Sequence, residues 1–280
     1  MPDPSDTSQR NTAPIGVFDS GIGGLSVLKH IRACLPREDL LYFADSGFAP
    51  YGGRPEEEIV ERSLAIAEFL MQYEVKALVV ACNTATAAAI KALRARYPSL
   101  PVVGVEPGLK PAAALTKSGT VGVLATKRTL ASEKFKLLHE QIGAASKVRF
   151  LPQPCIGLAD QVEKGELQSA ATAQLLRSYI EPLIAEGADT LVLGCTHYPF
   201  VRPLIEDIVG RISPVPVSIV DTGEPIARQL VRLLTERGLL RSEGAGSVAG
   251  FTTGSGTALS GAFSKLLGLN PAIMQIAASV

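Results

Sequence analysis

Two cysteines stand in the same local context in distant parts of the chain. Cys82 follows the apolar run of ALVVACNTATA, which begins at Ala77, and Cys195 follows the apolar run of TLVLGCTHYPF, which begins at Thr190. A thiol at the start of a helix is placed where the thiolate form is favoured, and a thiol and a thiolate can serve together as acid and base. The repeated context therefore predicts a shared role in proton transfer.

Short apolar runs that alternate with longer amphipathic stretches place both cysteines in an α/β fold. Near-continuous apolar runs are typical of parallel strands that are covered on both faces. The segment 56–73 follows Pro55, opens with three glutamates and repeats apolar residues at helical spacing, so it is predicted to be a helix. Strands are predicted at 15–19, 40–44, 77–81, 102–105, 121–125, 148–151, 190–194 and 218–220.

The residues that directly follow these strands are the first place to look for a site. Ligands of open parallel sheets bind beyond the carboxyl ends of the strands. The polar or reactive residues at or just after the strand ends are Asp19, Ser20, Asp45, Asn83, Thr84, Thr126, Thr196, His197 and Asp221, and Cys155 lies a little beyond its strand.

The order of strands and turns that leads to Cys82 is repeated on the way to Cys195. This internal repeat predicts two similar doubly wound α/β domains related by a pseudo-twofold axis, with the active site in the cleft between them. We expect a disordered tail over 1–13, a first domain of 14–105 plus 221–280, and a second domain of 106–220.

Two thiols on opposite sides of one cleft would suit inversion of a carbon centre. One group removes a proton from the carbon while the other returns a proton to the opposite face. Asp19 and His197 are candidates for proton transfer to and from the thiols. The candidates for holding the charged ends of the substrate are Ser20, Asn83, Thr84 and Thr196.

The composition argues against several other classes of protein. Lys+Arg and Asp+Glu are equal at 27 each, so no charge surplus points to nucleic acid or a membrane surface, and a small-molecule partner is expected. There is no membrane-spanning run and no signal peptide, which predicts a cytoplasmic protein. The four cysteines lack C-x-x-C spacing, and no metal site is expected. Cys34 is interpreted as a buried residue of a helix, and the role of Cys155 stays open.

Four motifs closely resemble those of the bacterial glutamate racemases: GVFDSGIGGLSVL, PYGGR, VVACNTATA and LVLGCTHYPF. The resemblance extends from about Ile15 to about Leu230. Enzymes of this family supply D-glutamate for peptidoglycan without a cofactor. The resemblance implies two α/β domains with the site between them, no cofactor, a homodimer, and glutamate as the substrate.

The resemblance also assigns roles to residues of this sequence. Cys82 would act on D-glutamate and Cys195 on L-glutamate, with Asp19 and His197 assisting them and Glu163 as a further catalytic carboxylate. The substrate would be bound by Asp19, Ser20, Tyr51, Gly52, Asn83, Thr84, Thr126, Thr196 and His197.

Three alternatives compete with this interpretation. A non-catalytic binding protein can also hold a ligand between two α/β domains, but it has no need for paired thiols. A racemase of the same two-cysteine type could act on aspartate or a hydantoin. A pyridoxal enzyme would need a Schiff-base lysine beside a phosphate site, which the sequence does not display.

Overall fold

The computed structural model describes residues 11–277, which fall into two compact units. Within the described residues, unit 1 consists of 11–105 and 223–277, and unit 2 of 106–222. Of the expected tail, residues 1–10 lie outside the described part. Residues 11–13 lie within it, and the Asn11 carbonyl accepts a hydrogen bond of 2.6 Å from Lys76 Nζ. The folded part therefore begins before residue 14.

Unit 1 contains a parallel sheet with the strand order β10-β9-β2-β1-β3-β4. Strands and helices are numbered in chain order. The strands are β1 (Ile15–Asp19), β2 (Leu40–Ala44), β3 (Ala77–Val80), β4 (Val102–Gly104), β9 (Val248–Thr252) and β10 (Ala272–Gln275). The helices are α1 (Leu25–Cys34), α2 (Glu56–Met71), α3 (Asn83–Arg96), α10 (Gly223–Glu236) and α11 (Gly256–Leu267), with a 3₁₀ turn at Tyr51–Gly53.

Unit 2 contains a parallel sheet with the strand order β6-β5-β7-β8. Its strands are β5 (Thr120–Ala125), β6 (Arg149–Pro154), β7 (Thr190–Gly194) and β8 (Ser218–Val220). Its helices are α4 (Leu109–Leu115), α5 (Lys127–Ala131), α6 (Glu133–Ser146), α7 (Leu158–Glu163), α8 (Ala170–Ala185) and α9 (Arg202–Ile212), with a 3₁₀ turn at Tyr198–Val201.

The two sheets share one topology. In each unit the first strand lies between the second and the third, and the fourth lies outside the third. The chain leaves the first strand in one direction and returns on its other side, so each sheet has a topological switch point between its first and third strands. The expected doubly wound α/β fold is confirmed, and Cys82 and Cys195 each follow the third strand of their unit.

Burial explains why these segments form these elements. Strands β1, β3 and β7 are buried along their whole length, as expected for strands covered on both faces. Helix α2 buries Ile59, Ser63, Ile66 and Leu70 at the predicted helical spacing. No helix within residues 11–277 is long and apolar enough to cross a membrane.

The interpretation of Cys34 as a buried residue is wrong. Cys34 is exposed and is the last residue of α1. The buried face of this helix is formed by Leu25, Leu28 and Ile31, and the chain returns to the core at Leu35. Cys34 lies outside this buried face, and its side chain is exposed to solvent.

Candidate active site

Cys82 occupies the N-cap position of helix α3. Its Sγ accepts a hydrogen bond from Ala85 N at 3.4 Å and lies 3.7 Å from Ser20 Oγ. The residue is buried, with 5% of its surface exposed. The positive end of a helix dipole favours negative charge at its N-terminus, so this position stabilises a thiolate.

Asp19 and Ser20 lie at the end of β1 beside this thiol. Asp19 is fully buried, and its Oδ1 accepts hydrogen bonds from Gly21 N at 2.8 Å and Ser20 Oγ at 3.3 Å. Gly24 lets the following loop close over Asp19, because a Cβ atom at Gly24 would lie only 2.6 Å from Asp19 Cβ. Ser20 therefore links the carboxylate of Asp19 to the sulfur of Cys82.

Asn83 places an unsatisfied amide directly after the thiol. Its side-chain oxygen and nitrogen are buried, and neither has a hydrogen-bond partner among the described residues. The residue is only 4% exposed. Since a buried amide without partners costs free energy, a ligand that hydrogen-bonds to this amide would gain affinity. Thr84, the next residue, is buried as well.

Tyr51 of the predicted binding set has its hydroxyl committed within the protein. The hydroxyl donates to Asp45 Oδ2 at 2.5 Å, and the same carboxylate pairs with Arg62. Burial raises the pKa of Tyr51, and the negative charge of Asp45 raises it further, so Tyr51 stays neutral. Gly52 follows Tyr51 in the same 3₁₀ turn. Nothing in the sequence pattern singled out Arg62, which is one charged residue among several on α2.

Cys195 follows β7 in unit 2 and contacts a histidine. Its Sγ lies 3.6 Å from His197 Nδ1, and His197 Nε2 lies 2.6 Å from Glu163 Oε1. Cys195 and His197 are both buried, whereas the Glu163 side chain is partly exposed. Glu163 is the last residue of α7, so this helix determines where the carboxylate meets the imidazole.

The surroundings of His197 favour the imidazolium form. Burial by itself lowers the pKa of His197, but the hydrogen bonds and negative charges of Cys195 and Glu163 outweigh that effect and hold the pKa well above its ordinary value. The thiol of Cys195 thus contacts the imidazole of His197, which in turn contacts the carboxylate of Glu163. A cationic His197 can stabilise a thiolate at Cys195 or return a proton to it.

The remaining predicted residues of unit 2 lie at the same edge of the sheet. Thr126 is the N-cap of α5, where its Oγ1 accepts from Thr129 N at 3.2 Å, and Thr196 is buried beside Cys195. Cys155 follows β6, is buried, and donates to the Gln153 carbonyl at 3.5 Å. Burial raises the pKa of Cys155, so it remains a thiol.

The predicted residues thus form one cluster in each unit. Unit 1 brings together Asp19, Ser20, Cys82 and Asn83, and unit 2 brings together Glu163, Cys195 and His197. Each cluster places a thiol near a titratable side chain at a switch point of its sheet. Within residues 11–277 no three His, Cys, Asp or Glu side chains are grouped as a metal ion would require.

Most of the chain is similar to known proteins. A family model described as Asp/Glu/Hydantoin racemase matches residues 15–230. The chain is 53% identical over 259 residues to the glutamate racemase of Ectopseudomonas mendocina, a match that covers 92% of this chain and 96% of that protein.

Two solved structures share the fold. The RacE1 isoform of glutamate racemase from Bacillus anthracis superposes with a TM-score of 0.84 at 36% identity, covering 95% of this chain and 98% of that one. The glutamate racemase of Francisella tularensis, in complex with D-glutamate, superposes with a TM-score of 0.83 at 28% identity, covering 96% and 98%.

Proposed function

This chain belongs to the Asp/Glu/hydantoin racemase family, and we propose that it interconverts L- and D-glutamate by a two-base mechanism without a cofactor. The observation that carries the proposal is the pair of thiols at equivalent switch points of two sheets with one topology. The identity to the glutamate racemase of Ectopseudomonas mendocina supports glutamate as the substrate.

In the proposed reaction one cysteine acts as the base and the other as the acid, and these roles are exchanged when the reaction runs in the opposite direction. When D-glutamate is bound, the Cys82 thiolate takes the α-proton, and the Cys195 thiol gives its proton to the opposite face of the same carbon. The product is L-glutamate, with Cys82 now a thiol and Cys195 a thiolate. The reverse reaction begins with Cys195 as the base. Asp19 and His197 assist proton transfer at the two sulfurs, and Glu163 holds His197 in its cationic form.

The substrate is held by polar groups that surround the thiols. The unsatisfied amide of Asn83 offers both a donor and an acceptor. Such fixed dipoles stabilise the carbanion-like transition state when they are oriented before the reaction starts. The other proposed ligands of the substrate are Asp19, Ser20, Tyr51, Gly52, Thr84, Thr126, Thr196 and His197.

The biological setting is proposed on the family resemblance. We propose a cytoplasmic homodimer that supplies D-glutamate for peptidoglycan. Light scattering of the purified protein measures the oligomeric state. Restoration of wall synthesis by added D-glutamate, in cells depleted of this protein, tests the supply role.

The reaction is tested with L-glutamate in deuterated water and no added cofactor. We expect the circular dichroism signal of the substrate to decay, and solvent deuterium to appear at the α-carbon of the D-product. Cys82→Ala and Cys195→Ala should each abolish racemisation, whereas Cys34→Ser, a matched change at an exposed thiol, should not. Decay with aspartate or a hydantoin but not with glutamate would correct the substrate. Full activity in either alanine variant would refute the two-base mechanism.

A further inference from the structure

A buried carboxylate outside the two thiol clusters connects five parts of unit 1. Asp45 directly follows β2 and is fully buried. Its two oxygens accept from Tyr51 Oη at 2.5 Å, Arg62 Nη2 at 2.7 Å, Arg62 Nε at 3.1 Å and Thr253 Oγ1 at 2.8 Å. Its backbone N–H donates to the carbonyl of Asp19 at 3.0 Å. The donors come from the 3₁₀ turn, from α2 and from the loop after β9.

The Arg62–Asp45 pair is built for fixed geometry. Arg62 binds both carboxylate oxygens, and its guanidinium lies 3.9 Å from the centre of the Phe48 ring. Its side chain is only 12% exposed. A bidentate, stacked arginine specifies orientation in a way that a lysine cannot, because an ammonium group has neither the planar fork nor the stacking face.

We propose that Asp45 is a positioning residue for glutamate, which it aligns by fixing the Tyr51–Gly53 turn beside Cys82. In this arrangement the hydroxyl of Tyr51 serves Asp45, and the turn meets the substrate through the Tyr51 ring and the Gly52 backbone. The inference rests on the proposed function, because it concerns the glutamate site.

The location of the Asp45 carboxylate explains why its loss would weaken the binding of glutamate. Asp45 joins the end of β1, which carries Asp19 and Ser20, to the turn that carries Tyr51 and Gly52. A small shift of a positioning group moves every ligand that it aligns, and a displacement of about 1 Å can lower activity by about a hundredfold. The Asp45 carboxylate therefore sets the relative positions of two parts of the substrate site.

A double-mutant cycle tests the proposal on the full-length protein. Arg62→Lys keeps the charge but loses the fork, and Tyr51→Phe removes only the hydroxyl. Each should raise the KM for glutamate by about tenfold with a smaller change in kcat. Because both act through Asp45, the double variant should lose no more than about twofold beyond the larger single loss. Arg96→Lys, an arginine stacked on Tyr97 instead, is the matched control and should keep the wild-type KM.

Thr253 supplies an independent test if Arg62→Lys does not fold. Thr253→Val removes the donor to Asp45 and the acceptor of Gly47 N with little change in volume, and Thr253→Ser restores the hydroxyl that makes both contacts. We expect a rise in KM of about threefold for the valine variant and recovery in the serine variant. Folded Arg62→Lys protein with the wild-type KM, or fully additive losses in the cycle, would overturn the positioning role. An inactive wild type would instead refute the proposed function.

Discussion

The side chains around the two thiols differ in kind. Cys82 lies at a helix N-terminus next to Ser20, whereas Cys195 contacts an imidazole that is held by a carboxylate. Negative charge on the first sulfur would be favoured by the peptide dipoles of α3, and negative charge on the second by a cationic His197. Substitutions in unit 2 should therefore change the pH dependence of the reaction more than substitutions in unit 1.

Removing the charge of Glu163 should shift the pH profile. Glu163→Gln keeps the shape and a hydrogen-bonding oxygen but removes a negative charge that raises the pKa of His197. That pKa should fall, so the cationic form of His197 is lost at a lower pH. We expect the alkaline limb of the kcat profile with L-glutamate to move to lower pH. Glu166→Gln, at an exposed position in the same segment, is the control, and an unchanged Glu163→Gln profile would contradict the role of the pair.

The same pair should contribute to stability in a defined pH range. The pKa of His197 is raised in the folded state above its unfolded value of about 6.5. Its contribution is therefore fully present below pH ~6.5 and is lost as the pH rises through the folded-state pKa. The difference in unfolding midpoint between wild type and Glu163→Gln should be larger at pH 6 than at pH 9. Thermal unfolding across this range measures it, and a difference that grows with pH would contradict the sign.

Asn83 and Thr86 lie on one helix, but substitution of Asn83 should affect substrate affinity whereas substitution of Thr86 should affect stability. The Asn83 amide has no partner among the described residues, so Asn83→Ala should lower the affinity for glutamate at least tenfold with little loss of stability. Thr86 Oγ1 donates to the Val80 carbonyl and accepts from Val105 N, so Thr86→Val should cost about 1–3 kcal/mol of stability. Activity per folded molecule should be retained in Thr86→Val. Denaturant unfolding with initial-rate kinetics measures both, and a stability loss confined to Asn83→Ala would reverse the assignment.

At the level of strands and helices, close contact between neighbouring strands sets the position of Cys195. A Cβ atom at Gly194 would lie 2.9 Å from both Ala125 Cβ and the Leu124 carbonyl oxygen. Gly194→Ala must therefore push β7 away from β5 at the residue that precedes the thiol. We expect a loss of about 1–3 kcal/mol in stability together with reduced racemisation.

Gly210 provides the contrasting substitution for this prediction. It lies in α9 with nothing within 4 Å of an added Cβ atom. Gly210→Ala should stabilise the protein by about 0.5–1 kcal/mol and leave activity unchanged. Chemical denaturation of both variants provides the comparison, and equal stability of Gly194→Ala and wild type would show that the strand ends can move apart without cost.

Burial patterns account for what the sequence could predict of these elements. The predicted bounds of β1, β2 and β7 coincide with the observed ones because these strands form continuous apolar runs that are buried, apart from the half-buried Leu41 of β2. The predicted strands include neither β9, whose first two residues are half-buried, nor β10, whose residues are largely exposed. Strand β6 was predicted over 148–151, but it continues through Pro152 to Pro154. It is an edge strand, where a missing N–H is tolerated.

The sequence could predict those site residues that directly follow an apolar run, but not the contacts between residues that are distant in sequence. Cys82, Asn83, Cys195 and His197 are visible in the sequence because they come directly after apolar runs. The contact between Arg62 and Asp45 is not, since the two residues are separated by 17 positions and Arg62 lies on a helix with other charged residues. Packing in three dimensions, not periodicity, brings that arginine to the carboxylate.

On the scale of the whole molecule, the repeated topology places each thiol at the equivalent position of its unit, after the third strand. The third strand of each unit ends in a short turn, and the sulfur lies at its switch point. Formal charges balance over the chain, so attraction of an anionic substrate must come from local groups such as helix N-termini and the Asn83 amide, not from net charge. Under the proposed function, each α/β unit would supply one proton-transfer group to the reaction.

The order in which the four cysteines react provides a test across both units. Cys34 is exposed, whereas Cys82, Cys155 and Cys195 are buried. Iodoacetamide at neutral pH should modify Cys34 without loss of activity, and loss should accompany modification of Cys82 or Cys195. Cys155 should stay unmodified until the protein unfolds, because burial raises its pKa and keeps it a thiol, and the thiolate is the reactive form. Peptide mass spectrometry against residual activity measures the order, and labelling of Cys155 in the folded, active protein would contradict the structure around β6.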